Sequence, residues 1–444
     1  MSTLGPVVGY APGTVDLHPP GLPAACEGHV WERSRFEWYV GDDGDPLQLL
    51  SEFAALHGVH LTDISASPRV TDPVTCGISV LLSPPWVTPS PTPSVPALVA
   101  IAYAHAPVPS PTATPTGAVT VRNQTPGHTP FARNFQVPER SEGALRGQRV
   151  TKYAEKSGHF VIGRWAPSWT EANHAAAVDS VRAAIARGDV YVVNLVGHAA
   201  APVSGDPTAA LTRVAALPGA RYGGVLRGAD WWVATASPET LVSVSAGRAI
   251  TRPIKGTRPA TPAGRAELLA SPKERAEHVM IVDLERNDLG RVAAVGSVRV
   301  DELFALRRWS GLWQAESTVS AQLAPGVGLA ELLAAIWPGG SVTGAPKRAA
   351  IEVATALEPV GRGPSMGACG WIGHDRHGQV EIDLGLTIRT VAIAGGRAHL
   401  WAGGGIVWDS DPAAEVAEAA AKMAPIKRAL GAVGRAPGDG RRGT

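Results

Sequence analysis

Cysteine is scarce in this chain: Cys26, Cys76 and Cys369 are the only three in 444 residues, and no CxxC occurs. That spacing points to neither a disulfide framework nor a thiolate zinc site. Charge of a dominant sign is missing too, with 40 Lys and Arg against 39 Asp and Glu, so no bulk field favours nucleic acid or a membrane surface. There is no apolar run of about eighteen residues, and therefore no expected membrane span. The opening MSTLGPVVGYAPG lacks a basic segment followed by an apolar one, so no secretory signal is expected and a cytoplasmic location is. What the chain has is 45% apolar residues, enough for a sizeable core, together with 50 glycines and 38 prolines.

The first 150 residues offer few chemical signals. PLQLLSEFAALHGV (46–59) has helical spacing, while CGISVLL (76–82) and ALVAIAYA (97–104) read as strands. The Pro/Ser/Thr-rich stretches 83–96 and 107–117 are expected to be extended surface segments. From 168 the pattern sharpens. SWTEANHAAAVDSVRAAIARGD (168–189) predicts an amphipathic helix with Ala175, Val178, Val181 and Ile185 on one side, and VYVVNLV (190–196) the next strand. GADWWVATAS (228–237) predicts another strand, 271–290 a long helix, and 330–340 a helix stopped by Pro-Gly-Gly. A further helix is expected to start within 341–359. Residues 366–407 alternate like paired strands. A closing helix spans 409–430, with Asp411 at its N-cap and Pro412 at its first position.

Several clusters carry chemistry. Lys255 lies in TRPIKGTRP (251–259), sixteen residues after the glutamate of SPE (237–239), Glu239. On its own a lysine in such a Pro/Gly-flanked loop reads as a solvated charge, but beside an acid and upstream of spaced carboxylates it points to covalent chemistry on an anionic substrate. On the closing helix Glu415, Glu418 and Lys422 share one face. They fit a surface ion-pair ladder, or a cation site completed by Glu277 of the 271–290 helix. They follow AGGGI (402–406), whose Gly404 and Gly405 allow backbone to approach a ligand closely. PGGSVTGAPK (338–347) resembles a phosphate loop, but Ala345 and Pro346 stand where the pattern needs lysine and a donor. There Thr343 is expected to cap a helix whose amides favour an anion, with Lys347 nearby. Arg389 in LTIRT (386–390) reads either as an edge charge or as a bidentate carboxylate clamp. Cys369 in GACGW (367–371) lacks the second glycine of a nucleophile elbow, and no His-x-Glu occurs anywhere, so it reads as a small buried strand residue.

SPE, PIKGT (253–257), EHVMIVDLERNDLGRV (277–292), PGGSVTGAPK, LTIRT, AGGGIVWDS (402–410) and E-x-x-E-x-x-x-K (415–422) together resemble, in order, the chorismate-utilising enzyme family. The resemblance covers about 170–430. It implies an α+β fold like that of anthranilate synthase component I: two large, mostly antiparallel sheets packed together, with surrounding helices. The expected organisation is a divergent N-terminal part (1–150) packed into the same body, a chorismate-binding domain (151–432) and a disordered tail (433–444).

Two positions place the resemblance nearest the aminodeoxychorismate synthase branch. Water-using members carry a lysine base where this chain has Asn194, and anthranilate synthases resemble PIAGT where it has PIKGT. The family implies Glu239 as general acid, Lys255 as nucleophile at C2 of chorismate, and Mg²⁺ held by Glu277 and Glu418 with Glu415 as a ligand or beside one. It also implies substrate contacts by Asn194, Thr343, Lys347, Arg389, Gly404, Gly405 and Lys422. Ammonia, delivered by a separate glutamine amidotransferase subunit, would give 4-amino-4-deoxychorismate on the way to para-aminobenzoate. The alternatives are an anthranilate- or aminodeoxyisochorismate-type large subunit, or a chorismate-binding subunit without turnover. Gln314 and Ser365 depart from the family pattern, Gln314 replacing a histidine associated with pyruvate elimination.

Overall fold

The computed structural model describes residues 7–10, 30–65, 75–84, 90–105, 118–122, 159–374 and 379–431. The segment 107–117, residues 85–89 and the tail 433–444 lie outside these. First come strands β1 (Val7–Tyr10) and β2 (Val30–Trp38), helix α1 (Pro46–Leu56), then β3 (Thr75–Leu82), β4 (Leu98–His105) and β5 (Ala118–Arg122). Short strands β6 (Val161–Ile162) and β7 (Ala166–Pro167) precede α2 (Glu171–Ala186), β8 (Val192–Ser204) and α3 (Thr208–Ala215). Next run β9 (Tyr222–Arg227), β10 (Trp231–Ser237), β11 (Thr240–Ser245), β12 (Arg248–Arg252) and β13 (Ile254–Pro259). Helices α4 (Pro262–Ala270) and α5 (Pro272–Gly290) lead into the hairpin β14 (Arg299–Trp309) and β15 (Leu312–Gln322). Then follow α6 (Leu329–Ile336), the two-residue β16 (Gly344–Ala345) and α7 (Lys347–Leu357). The last elements are β17 (Ala368–His374), β18 (Val380–Leu386), β19 (Thr390–Ala394), β20 (Arg397–Ile406) and α8 (Pro412–Gly431).

These strands make two sheets. The larger, of twelve strands, runs β1-β5-β2-β4-β3-β17-β18-β11-β12-β15-β13, with β14 also on β15. The smaller, of eight, runs β16-β8-β20-β19-β10-β9, with β6 and β7 also on β8. Among the described strands every pairing is antiparallel except β2 with β5, and β9–β10, β11–β12, β14–β15, β17–β18 and β19–β20 each pair as consecutive strands. One contiguous apolar cluster joins the sheets: Ile78, Val242, Ile372 and Leu384 of the larger meet Val233, Ala392 and Trp401 of the smaller. The fold is therefore α+β, two large antiparallel sheets with helices around them. From the N-terminal part, β3 joins this framework by pairing with β17, Ala368 opposite Leu82.

Two helices aim side chains at the space between the sheets. Ser271 caps α5, its hydroxyl accepting from Glu274 N at 3.3 Å, and Pro272 enters where no amide partner is lost. Asp411 caps α8 likewise, accepting from Ala414 N at 2.8 Å ahead of Pro412. Among the described residues no helix is long and apolar enough to cross a membrane.

Other expectations need adjusting. The helix at 168–189 is shorter and buries His174, Ala177, Val178, Val181 and Ala184, so its inner face is rotated from the one predicted. Residues 228–230 form a turn ahead of β10, while β8 runs on to Ser204. The paired strands of 366–407 divide: β17 and β18 lie in the larger sheet, β19 and β20 in the smaller.

Candidate active site

A polar hollow lies between the sheets, and its walls come from several elements far apart in the chain. β8 supplies Asn194, the turn before β11 Glu239, β13 Lys255, α5 Glu277, β20 Gly404 and Gly405, and α8 Glu415, Glu418 and Lys422. Arg389 enters from the corner where the chain leaves β18 for β19. Thus all the residues nominated from the sequence converge here except Thr343 and Lys347.

Those two are corrections. Residues 344–345 pair as β16 with Val192 and Val193, which holds Thr343 away from the start of α7. Pro346 occupies the N-cap of α7 with no side-chain acceptor, and Thr343 Oγ1 instead donates to Gly339 O at 2.8 Å. Lys347 Nζ turns to Asp288 Oδ2 (2.7 Å) and the Ile336 carbonyl (3.3 Å) at the end of α6. Neither side chain lines the hollow.

Glu239 is buried at one end. Its Oε1 accepts from Ser341 Oγ at 2.5 Å and from Ile254 N at 3.1 Å. Burial raises its carboxyl above the ordinary range, against the opposing pull of Ser341, Ile254 N, Lys255 and Arg389. Lys255 follows on β13, where the register against β15 shifts between Lys255 and Thr257 and Gly256 takes a positive φ of 76°. The bulge turns the strand so that Lys255 faces the hollow. Its Nζ lies 3.1 Å from Glu277 Oε1. Burial outweighs that lysine and raises the Glu277 carboxyl.

At the other end each carboxylate of α8 has its own ammonium. Glu415 Oε1 takes Lys273 Nζ at 3.0 Å and Ser410 Oγ at 2.7 Å, and Glu418 Oε1 takes Lys422 Nζ at 2.5 Å. Burial works to raise Glu418, but Lys422, Arg389 and Lys255 together hold it below the usual range. Gly404 and Gly405 run between these groups. A Cβ on Gly405 would collide with Glu277 Oε1, and one on Gly404 would sit 3.0 Å from Glu415 Oε2 and 3.6 Å from Glu418 Oε1. The three carboxylates therefore crowd one stretch of backbone; among the described residues no three His, Cys, Asp or Glu side chains are grouped closely enough to hold a metal ion as they stand.

Arg389 is no strand arginine: with φ 53° it forms the corner between sheets. Its guanidinium is buried over the Trp309 ring at 4.8 Å, and Nε has no hydrogen-bond partner. Burial pulls it down to about 10, against Glu418 and Glu239. A buried planar cation with an unpaired Nε donor is able to accept a carboxylate partner.

Sequence reasoning missed Ser341, Lys273 and Arg362. Ser341 stood inside the motif 338–347, two residues from Thr343, and Lys273 sits one helical turn before Glu277. Arg362, fully buried, holds the floor: it bonds Glu358 (2.6 Å), Val342 O (2.6 Å) and Asn194 O (2.8 Å). Asn194 is fixed further by donating to Val342 O at 3.2 Å. Cys369 is buried in β17 as expected, its thiol pushed up to about 12 by burial.

The profile of the chorismate binding enzymes matches residues 114–428, and the chain belongs to that family. It is 37% identical over 274 residues to aminodeoxychorismate synthase component 1 of Bacillus subtilis, covering 60% of this chain and 57% of that protein. It is 40% identical over 261 residues to anthranilate synthase component 1 of Streptomyces coelicolor, covering 57% and 50%. The chain thus matches little more than half the length of these curated relatives. The crystal structure of anthranilate synthase component I from Streptococcus pneumoniae superposes with a TM-score of 0.66 at 22% identity, covering 96% of this chain and 93% of that one. At that identity the likeness carries the fold.

Proposed function

We propose that the chain aminates chorismate at C4, giving 4-amino-4-deoxychorismate. The observation that carries this reading is Lys255 in the same hollow as Glu239, with the untitratable Asn194 where a water-activating base would otherwise stand. Lys255, once it has given up its proton, attacks C2 of the ring. The double bond shifts and the C4 hydroxyl leaves as water, taking its proton from Glu239. Ammonia then attacks C4 and the double bond returns, releasing the lysine amine. Gln314, which lines the hollow and offers no titratable proton, favours stopping at this product rather than eliminating pyruvate.

Arg389 holds one substrate carboxylate, and Gly404, Gly405 and Lys422 border the place of the other. Glu277 and Glu418, with Glu415 adjoining, would hold Mg²⁺, which when bound offsets negative charge at the ring carboxylate. Ammonia comes in this reading from a separate glutamine amidotransferase, as the family resemblance implies, and the buried Cys369 is no candidate for that reaction's thiolate.

The identity to an anthranilate synthase favours a second reading, amination at C2 with release of anthranilate. Supplying chorismate, Mg²⁺ and ammonium, with an aminodeoxychorismate lyase added, separates the two by mass spectrometry. The first reading expects para-aminobenzoate, and about 10²-fold or greater loss in Lys255→Ala. Anthranilate as the main product would replace it with the second.

A further inference from the structure

The three carboxylates read above as cation ligands are each engaged by one lysine: Glu277 by Lys255, Glu415 by Lys273 and Glu418 by Lys422. Lys255 and Lys422 are nearly buried, whereas the Lys273 side chain keeps 32% of its exposure. It reaches from the first turn of α5 across to α8. On its outer side lies a second hollow, bounded by Arg258, Pro259, Leu312 and the alanines of α8. The two hollows share a wall made of Thr257, Lys273, Glu274, Glu415 and Glu418, and the Lys273–Glu415 bridge spans it.

We propose that Lys273 is a displaceable tether on Glu415: it holds that carboxylate until a divalent cation takes it, then swings into the outer hollow, opening the wall. The inference rests on the cation reading of Glu277, Glu415 and Glu418. Charge balance gives the swing its direction. An ammonium and a dication cannot both sit against Glu415 without repulsion, and Lys273 is the one ammonium of the three with a route to water. A dication entering alone adds two positive charges, and a dicarboxylate alone two negative ones.

The test is calorimetric titration of Mg²⁺ into the full chain without chorismate or ammonia, so nothing depends on turnover. Lys273→Met should bind Mg²⁺ about tenfold more tightly than the wild type, within the range typical of coupled sites. Lys273→Arg, which restores the pair, should behave as the wild type. Arg258→Met is the control: it removes a cation from the same wall, but one paired to Glu274 at 3.0 Å rather than to Glu415. Its affinity should change less than about twofold. Equal tightening in Arg258→Met would reduce the effect to general charge removal and overturn the tether. So would unchanged or weaker binding in Lys273→Met, with Lys273→Gln replacing it should circular dichroism show misfolding. Failure of every variant, wild type included, to bind Mg²⁺ removes the cation reading and the tether with it. The product analysis above stands or falls separately.

Discussion

Strands β8 and β20 run side by side, and they build two polar clusters of opposite character. At one end of the ladder Asn194 faces Gly405, and Glu277, Glu415 and Glu418 each have a lysine ammonium set against them. Further along, Trp401 faces His198 and His399 faces Ala200. There His198 Nε2 bonds His399 Nδ1 at 3.1 Å, and Ser168 Oγ bonds His198 Nδ1 at 2.5 Å. Burial first, then His399 and Arg397, pulls His198 down to about 3, and burial and Arg397 pull His399 to about 4. One cluster survives burial by pairing charge and the other by giving charge up. The first can exchange its partners for a ligand's; the second has none to exchange.

The sharpest way to break the contrast is at Glu239, the one hollow carboxylate held by hydrogen bonds from Ser341 and Ile254 rather than by a lysine. If it delivers a proton, Glu239→Gln should cut turnover by about 10²–10⁴-fold with substrate affinity little changed, since general acid catalysis contributes about that much. The substitution is isosteric and keeps an acceptor for Ser341, so the fold should stand. Near-normal kcat in the variant would place Glu239 with the passive members of the wall.

Ser341→Ala sharpens the same point with a smaller effect. The Ser341 hydroxyl stabilises the ionised form of Glu239, so its removal should raise that carboxyl further. A general acid works only while protonated, so the alkaline limb of the kcat profile should move to higher pH. The expected loss in kcat near neutrality is about tenfold or less, as a positioning contact is removed and not the acid itself. Ser341→Thr should restore the wild-type limb. An unmoved limb in Ser341→Ala would show that some other group sets it.

How much of this was legible depended on distance along the chain. α5 and α8 were readable because Ser271-Pro272 and Asp411-Pro412 are local starts, and the carboxylates followed at helical spacing. Arg389 was misread as a strand residue because the apolar alternation of 380–394 runs through it. Only the assembled sheets reveal the corner that sends β18 and β19 to different layers. Thr343 failed for a similar reason: the pairing of Gly344 with Val193, set by a strand some 150 residues earlier, overrides the local capping preference. The Lys273–Glu415 and His198–His399 contacts join residues 142 and 201 positions apart, and no periodicity encodes such a meeting.

The histidine cluster yields the smallest effect, one on stability. Both rings have folded values depressed below the ordinary 6.5, so the unfolded chain binds more protons than the folded one as acid is added. Their contribution is present above about pH 6.5 and is lost as pH falls toward about 4 and 3. Between pH 7 and 5 linkage gives about 1–2 kcal/mol per ring as an upper bound. His399→Phe removes one titrating ring but also strands the Nε2 of His198, so the variant should be less stable at pH 7. Its stability should nevertheless fall less steeply with acid. Urea midpoints for both proteins at pH 7 and 5 give the comparison, provided the m-value is unchanged. A slope in His399→Phe as steep as the wild type's would mean that the acid sensitivity arises elsewhere, and that this cluster is not distinguished by shedding its charge.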